Sequence, residues 1–158
     1  YRIVPDKLWY CAHGAYLFRN YVYNDDRFDY NKKTISPSEF TENMSQYKIN
    51  MDIDCIGENS CRFIQGMGLG CVMIRPILKV KTHEPIIENF HYISVDCDDI
   101  SNYELLADSY IDKFNEIKSD NSLLDFISKN ARDYYLKNGT VSNFLELTAG
   151  VINIENLK

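Results

Sequence analysis

The stretch Ile49-Asn50-Met51-Asp52-Ile53-Asp54-Cys55-Ile56-Gly57-Glu58-Asn59-Ser60-Cys61-Arg62-Phe63-Ile64-Gln65-Gly66-Met67-Gly68-Leu69-Gly70-Cys71-Val72-Met73-Ile74 decides how this chain folds. Its first part has a period of two: Ile49, Met51, Ile53 and Cys55 alternate with Asn50, Asp52 and Asp54, the pattern of a half-buried strand ending at Gly57. After the loop from Gly57 to Ser60, Cys61 to about Met67 reads as a short helix, which Gly68-Leu69-Gly70 breaks. Cys71-Val72-Met73-Ile74 follows at once and is apolar on both faces, as a central parallel strand would be. Strand, helix and strand within about 25 residues make a right-handed parallel crossover, and so a layered α/β sheet.

Upstream, Ser36-Pro37-Ser38-Glu39 combines a Ser cap, a proline at the first helical position and a Glu three residues after the cap. A helix is expected from there to about Tyr47, with Phe40, Met44 and Tyr47 on one buried stripe. The first 35 residues are less patterned: Leu8, Trp9, Tyr10, Tyr16, Leu17 and Phe18 cluster around Gly14 and a polar loop follows. Downstream, Pro76 should stop the second strand, and Arg75-Pro76-Ile77-Leu78-Lys79-Val80-Lys81-Thr82-His83-Glu84-Pro85 should form a basic loop before a third strand, His91 to Val95. From Ser101-Asn102-Tyr103-Glu104, a second capping box, the chain is helical, with Tyr103, Ala107, Tyr110, Ile111 and Phe114 facing inward. Another helix is expected over about Ser122 to Lys137, with Leu123, Phe126, Ile127 and Tyr134 inward and Asn138-Gly139 as its stop, and a last short one over Val141 to Leu147.

A length of 158 residues fits one domain, and 45% hydrophobic with 25% charged residues is neither disordered nor low-complexity. A net charge of -6 argues against a general nucleic-acid binder, so an anionic ligand must be held by a local site. No apolar run approaches the roughly 20 residues that span a bilayer, and Tyr1 to Lys7 carries no signal-peptide core. A cytoplasmic location is favoured, and a start at Tyr1 rather than Met suggests a piece of a longer polypeptide. The five cysteines, Cys11, Cys55, Cys61, Cys71 and Cys97, are odd in number and form no CxxC pair, so they read as mostly buried thiols. The sequons at Asn43 and Asn138 would matter only in a secreted chain.

The chemistry concentrates where the first strand delivers its glycine turn to the carboxyl edge of the sheet. The next helix starts there with free N–H groups and a positive dipole end, a place for phosphate. Arg62, in the first helical turn, could reach over that end with its side chain pointing to the cleft, and Gln65, one turn on, would face the same way. Equally, Gly57 could merely turn the chain while Arg62 pairs with Glu58 on the surface; spacing leaves both open. Lys79 and Lys81 either close over an anion or blunt a solvated edge. His83 and His91 match no standard metal spacing and read as polar or partly buried histidines. The acidic run Asp96, Asp98, Asp99, Glu104, Asp108 and Asp112 lacks the glycine and bidentate Glu of a calcium loop.

These residues resemble the donor-binding C-terminal half of a GT-B glycosyltransferase, nearest to the group whose element reads R-x-x-E-x-x-x-x-G. Arg62 matches the Arg, Gln65 stands where the Glu usually is, and Gly70-Cys71-Val72-Met73-Ile74-Arg75-Pro76 matches the strand that follows. His91 to Val95, the helix at Ser101 and Asn130-Ala131-Arg132-Asp133-Tyr134-Tyr135 are similar to the end of the same domain, so the likeness runs from Ser36 to Leu147. It implies a Rossmann-like three-layer domain over residues 36–158, with a mainly parallel sheet and a helical C-terminal segment. Residues 1–35 would form a segment packing on a missing half or on the back of the domain.

The resemblance further implies a nucleotide-sugar as donor substrate, with no metal and no other cofactor. Gly57, Glu58, Asn59, Ser60, Arg62 and Gln65 would hold its phosphate and sugar side, and Lys79, Lys81 and His83 would close over it. An amide at Gln65 loses the charge-assisted bond that a carboxylate makes to a hydroxyl. A second Rossmann-like half, which 158 residues cannot contain, would belong to the same polypeptide and bring the acceptor site. The alternative is a non-catalytic α/β interaction or regulatory module, such as a receiver-like domain using Asp52 and Asp54.

Overall fold

The computed structural model describes residues 8–10, 16–30, 36–53, 60–96 and 102–143. In chain order these form β1 (Leu8–Tyr10), α1 (Tyr16–Val22), β2 (Phe28–Tyr30), α2 (Pro37–Gln46), β3 (Ile49–Met51), α3 (Cys61–Leu69), β4 (Val72–Pro76), β5 (Ile93–Val95), α4 (Tyr103–Ile117) and α5 (Asn121–Asn138). The expected α/β architecture is present: β3, β4 and β5 form a parallel sheet in that order, with Met51 opposite Ile74 and Arg75 opposite Ser94. A second parallel pair, β1 and β2, lies with β1 beside β3.

Alternation along the strands builds two cores, one on each face. Ile49, Met51, Val72, Ile74, Ile93 and Val95 point to one side, against Phe18 and Val22 of α1 and Leu106, Ala107, Tyr110 and Phe114 of α4. The opposite side carries Met73 and Tyr92 against Met44 of α2 and Phe63 and Met67 of α3. Helix α5 reaches both, with Leu124 and Ile127 in the first core and Ala131 in the second. The segment before residue 36 contributes Phe18, Val22 and Phe28 to the first core, and Arg27 Nη1 ties it to Asp108 of α4 at 2.6 Å.

Local signals mostly act where the sequence places them. Ser36 caps α2 in a reciprocal box with Glu39, and Gly139 follows α5. Gly70 ends α3 in the left-handed region, at φ 69°, which a side chain rarely adopts. Three expectations need correcting. Asn102, not Ser101, caps α4. On α5, Ile127 lies inward as expected, with Leu124 and Ala131 buried beside it and Leu123 and Tyr134 packed partly buried against the cores, but Phe126 is 49% exposed and meets Phe90 edge-on at 5.4 Å. Finally, β3 is not half-buried, because helices cover both faces and its polar residues lie inside: Asn50 is fully buried and donates from Nδ2 to the carbonyls of Met44 and Tyr47 at the end of α2. The last short helix is described only over residues 141–143.

Helix α3 approaches β4 so closely that a Cβ on Gly66 would stand 2.1 Å from the Met73 sulfur. Met73 is fully buried, so its thioether must repack among buried neighbours. Gly66→Ala should therefore cost about 1–3 kcal/mol in urea unfolding, despite alanine's better helix propensity. A Gly66→Ala/Met73→Ala pair should lose less than the sum of the two single changes.

Candidate functional site at the carboxyl edge of the sheet

Asp52 directly follows β3 and extends its ladder, its N–H donating to the Ile74 carbonyl at 2.9 Å. Its side chain lies on the Asn50 face, beneath the start of α3, and is fully buried. Ser60 Oγ donates to Asp52 Oδ1 at 2.6 Å and accepts the Phe63 N–H at 3.0 Å, so one hydroxyl caps α3 and ties its first turn to the sheet. Arg62 Nη1 donates to the same Oδ1 at 3.1 Å. Arg75 Nη1 stands 3.5 Å from Oδ2, and from the other face of the sheet the Tyr110 hydroxyl donates to the Asp52 carbonyl at 2.6 Å.

The basic loop begins later than expected: Arg75 and Pro76 belong to β4, and Arg75 is fully buried. Its guanidinium lies 4.4 Å from the centre of the Phe63 ring, which in turn meets Tyr92 edge-on. A desolvated cation over an aromatic face is worth about 2 kcal/mol. Burial pushes the Asp52 carboxyl up from its ordinary value; Arg62, the Ser60 hydroxyl and Arg75 pull it back down. The charge on this carboxyl thus depends on the two arginines beside it.

Of the residues singled out in the sequence, the fold brings Ser60 and Arg62 together on Asp52. Arg62 is not a surface residue: its side chain is 9% exposed and held by Asp52. Gln65 does not share its environment, being exposed on α3. Lys79, Lys81 and His83 are exposed on the loop after β4. Gly57, Glu58 and Asn59 lie outside the described residues, as do Asp54, Cys11, Cys55 and Cys97. Cys71 is a buried thiol, but Cys61 is an exposed one, since it occupies the outer side of the first turn of α3. The sequence reading missed Asp52 as the centre of this site. The available signal was a carboxylate on a strand with two arginines following, at positions that a parallel crossover stacks together.

No family model matches the chain, and no curated protein matches it. The comparison of structures is informative. The chain is similar to the C-terminal domain of a glycosyl transferase group 1 family protein, LpcC, from Francisella tularensis, with a TM-score of 0.53 and 15% sequence identity. The match covers 77% of this chain and 58% of that one, and at this identity it is a likeness of fold. It agrees with the Rossmann-like layering of β3, β4 and β5 between helices. Among the described residues no helix is long and apolar enough to cross a membrane, and no three His, Cys, Asp or Glu side chains are grouped so that they could hold a metal ion.

Two measurements follow from these contacts. Arg62→Ala breaks a buried pair and leaves Asp52 with fewer partners, so it should cost about 3 kcal/mol in chemical denaturation. His91 is buried, and its Nδ1 accepts the Ile87 N–H at 2.9 Å, which a protonated ring cannot do. Burial accordingly pushes its pKa down. The unfolded chain then binds the proton first, so this contribution to stability is present at neutral pH and is lost as pH falls below about 6.5. In His91→Gln the unfolding free energy between about pH 5 and 7 should vary less steeply than in the parent.

Proposed function

We propose that the chain is the donor-binding domain of a glycosyltransferase, taking a nucleotide-sugar at the amino end of α3. The observation that carries this reading is the Ser60, Arg62 and Asp52 arrangement at the carboxyl edge of β3, in a fold similar to a glycosyl transferase C-terminal domain. Open parallel sheets bind ligands beyond the carboxyl ends of their strands, and a helix start offers N–H groups and a positive dipole end to an anion. Asp52 fixes Arg62 within the first turn of α3, so the guanidinium is oriented before a ligand arrives and less entropy is lost on binding.

In this reading the turn from Gly57 to Ser60 and Arg62 receive the diphosphate. Gln65, exposed one turn on, offers its amide to a ribose or sugar hydroxyl, and Lys79, Lys81 and His83 close over the donor from the loop after β4. Residues 36–158 make up the donor domain, and a second α/β half in the same polypeptide brings the acceptor. The receiver-like alternative fits poorly, because a phosphoacceptor must be reachable and Asp52 is fully buried.

Calorimetry with UDP, GDP and ADP tests the proposal. At least one should bind, and Arg62→Lys, which keeps the charge but loses the planar fork, should weaken it about tenfold. Gln65→Glu should strengthen binding of the matching nucleotide-sugar. Equal affinities in parent and Arg62→Lys, or no binding of any of the three, would contradict the reading.

A further inference from the structure

A concavity that shares no residue with the Asp52 site lies between α5 and the segment that leads into β5. Its volume is about 340 Å³, within the roughly 300–1,000 Å³ of small-molecule sites. Glu84, Phe90, His91, Asn130, Asp133 and Tyr134 line it, with Lys137 at the side. We propose that this concavity binds a neutral pyranose unit of a saccharide.

The walls divide into two chemistries that suit such a ligand. Phe90 is 39% exposed and stands edge-on to His91, with ring centres 4.8 Å apart and planes at 83°. Tyr134 lies 4.9 Å from His91, with the ring planes at 55°. These rings form an apolar corner for the C–H face of a sugar ring, whose positive edge is attracted to aromatic faces. The same lining carries planar hydrogen-bonding groups, two carboxylates and an amide, which take hydroxyls in pairs.

Asn130 provides the pointed observation. Its Nδ2 is buried with no hydrogen-bond partner, and an unmet buried donor is costly enough that native proteins rarely leave one. By turning its amide toward the concavity, which Asn130 lines, this donor would meet a ligand hydroxyl. On His91, Nδ1 is taken by the Ile87 N–H, so in the neutral ring Nε2 carries the proton and is a second donor. The rim is already assembled: the Tyr134 hydroxyl donates to the Glu84 carbonyl at 2.7 Å, and Lys137 Nζ lies 3.8 Å from the Glu84 carboxylate.

Charge selects the class of ligand. Glu84 and Asp133 against Lys137 leave one negative charge in excess, which disfavours a phosphate and favours an uncharged, hydroxyl-rich partner. The inference does not depend on the nucleotide reading of the other site.

The test is a titration of the isotope-labelled 158-residue chain with methyl glucoside, methyl mannoside, N-acetylglucosamine, maltose and cellobiose, following the Asn130 side-chain amide and the Phe90, His91 and Tyr134 ring signals. Uridine and UDP are run in parallel. At least one saccharide should shift these signals saturably at millimolar concentration, and Phe90→Ala and Asp133→Asn, both changes at exposed residues, should each weaken it about tenfold or more. Arg62→Lys should leave it unchanged. Silence with all five saccharides up to about 50 mM, shifts undiminished by both substitutions, or a response to uridine with the saccharides silent would overturn the proposal. Saccharide binding by a chain that takes none of UDP, GDP and ADP would instead keep this site and remove the nucleotide reading.

Discussion

A carboxylate with no surface in water needs partners, and those of Asp52 come from two elements packed on each other. Ser60 and Arg62 come from the start of α3 and Arg75 from β4, while the Tyr110 hydroxyl of α4 holds the Asp52 backbone carbonyl from across the sheet. Moving a charge out of water costs several kcal/mol, so the position tolerates Asp only if all of these groups arrive together. That requirement fixes where α3 begins, how it lies on the sheet and which way Arg62 points. The close approach of Gly66 to Met73 then locks the far end of the same helix against β4.

This constraint also links structure to chemistry. Ser60 caps α3 through the hydroxyl that donates to Asp52, so the helix start is anchored to the sheet at the edge where parallel sheets take ligands. Arg62 is held by a carboxylate that is itself rigid. A site built in this way is oriented before a ligand arrives, as anion binding at a helix terminus requires.

Most of the layering was legible in the sequence. The switch from the period-two run at Ile49 to the helix at Cys61 and the apolar run at Val72 gave the parallel unit, and Ser36 with Glu39 gave the start of α2. The polar half of β3 was not legible in the same way. Alternation implies a wet face, but a sheet covered on both sides buries that face, so Asn50 and Asp52 became interior groups whose partners lie 10 or more residues away or on other elements. Arg75 looked like the first residue of a basic loop because periodicity cannot see that Phe63 and Asp52 would receive it inside. Phe126 looked internal because aromatic residues usually are, yet the stripe of α5 runs one position away, leaving its ring to Phe90 at the surface. In the first 35 residues the apolar cluster had no clear period, and the core roles of Phe18, Val22 and Phe28 emerge only from packing against α4.

The central claim is that a diphosphate is received where Asp52 holds Arg62 against the start of α3. An amide and guanidinium NMR map of the chain titrated with UDP or GDP tests it most directly. The account predicts that the largest saturable shifts fall on the backbone N–H groups of Ser60, Cys61 and Arg62 and on the Arg62 side-chain Nε–H. Shifts confined to other surfaces, with these four groups unmoved at saturation, would contradict it.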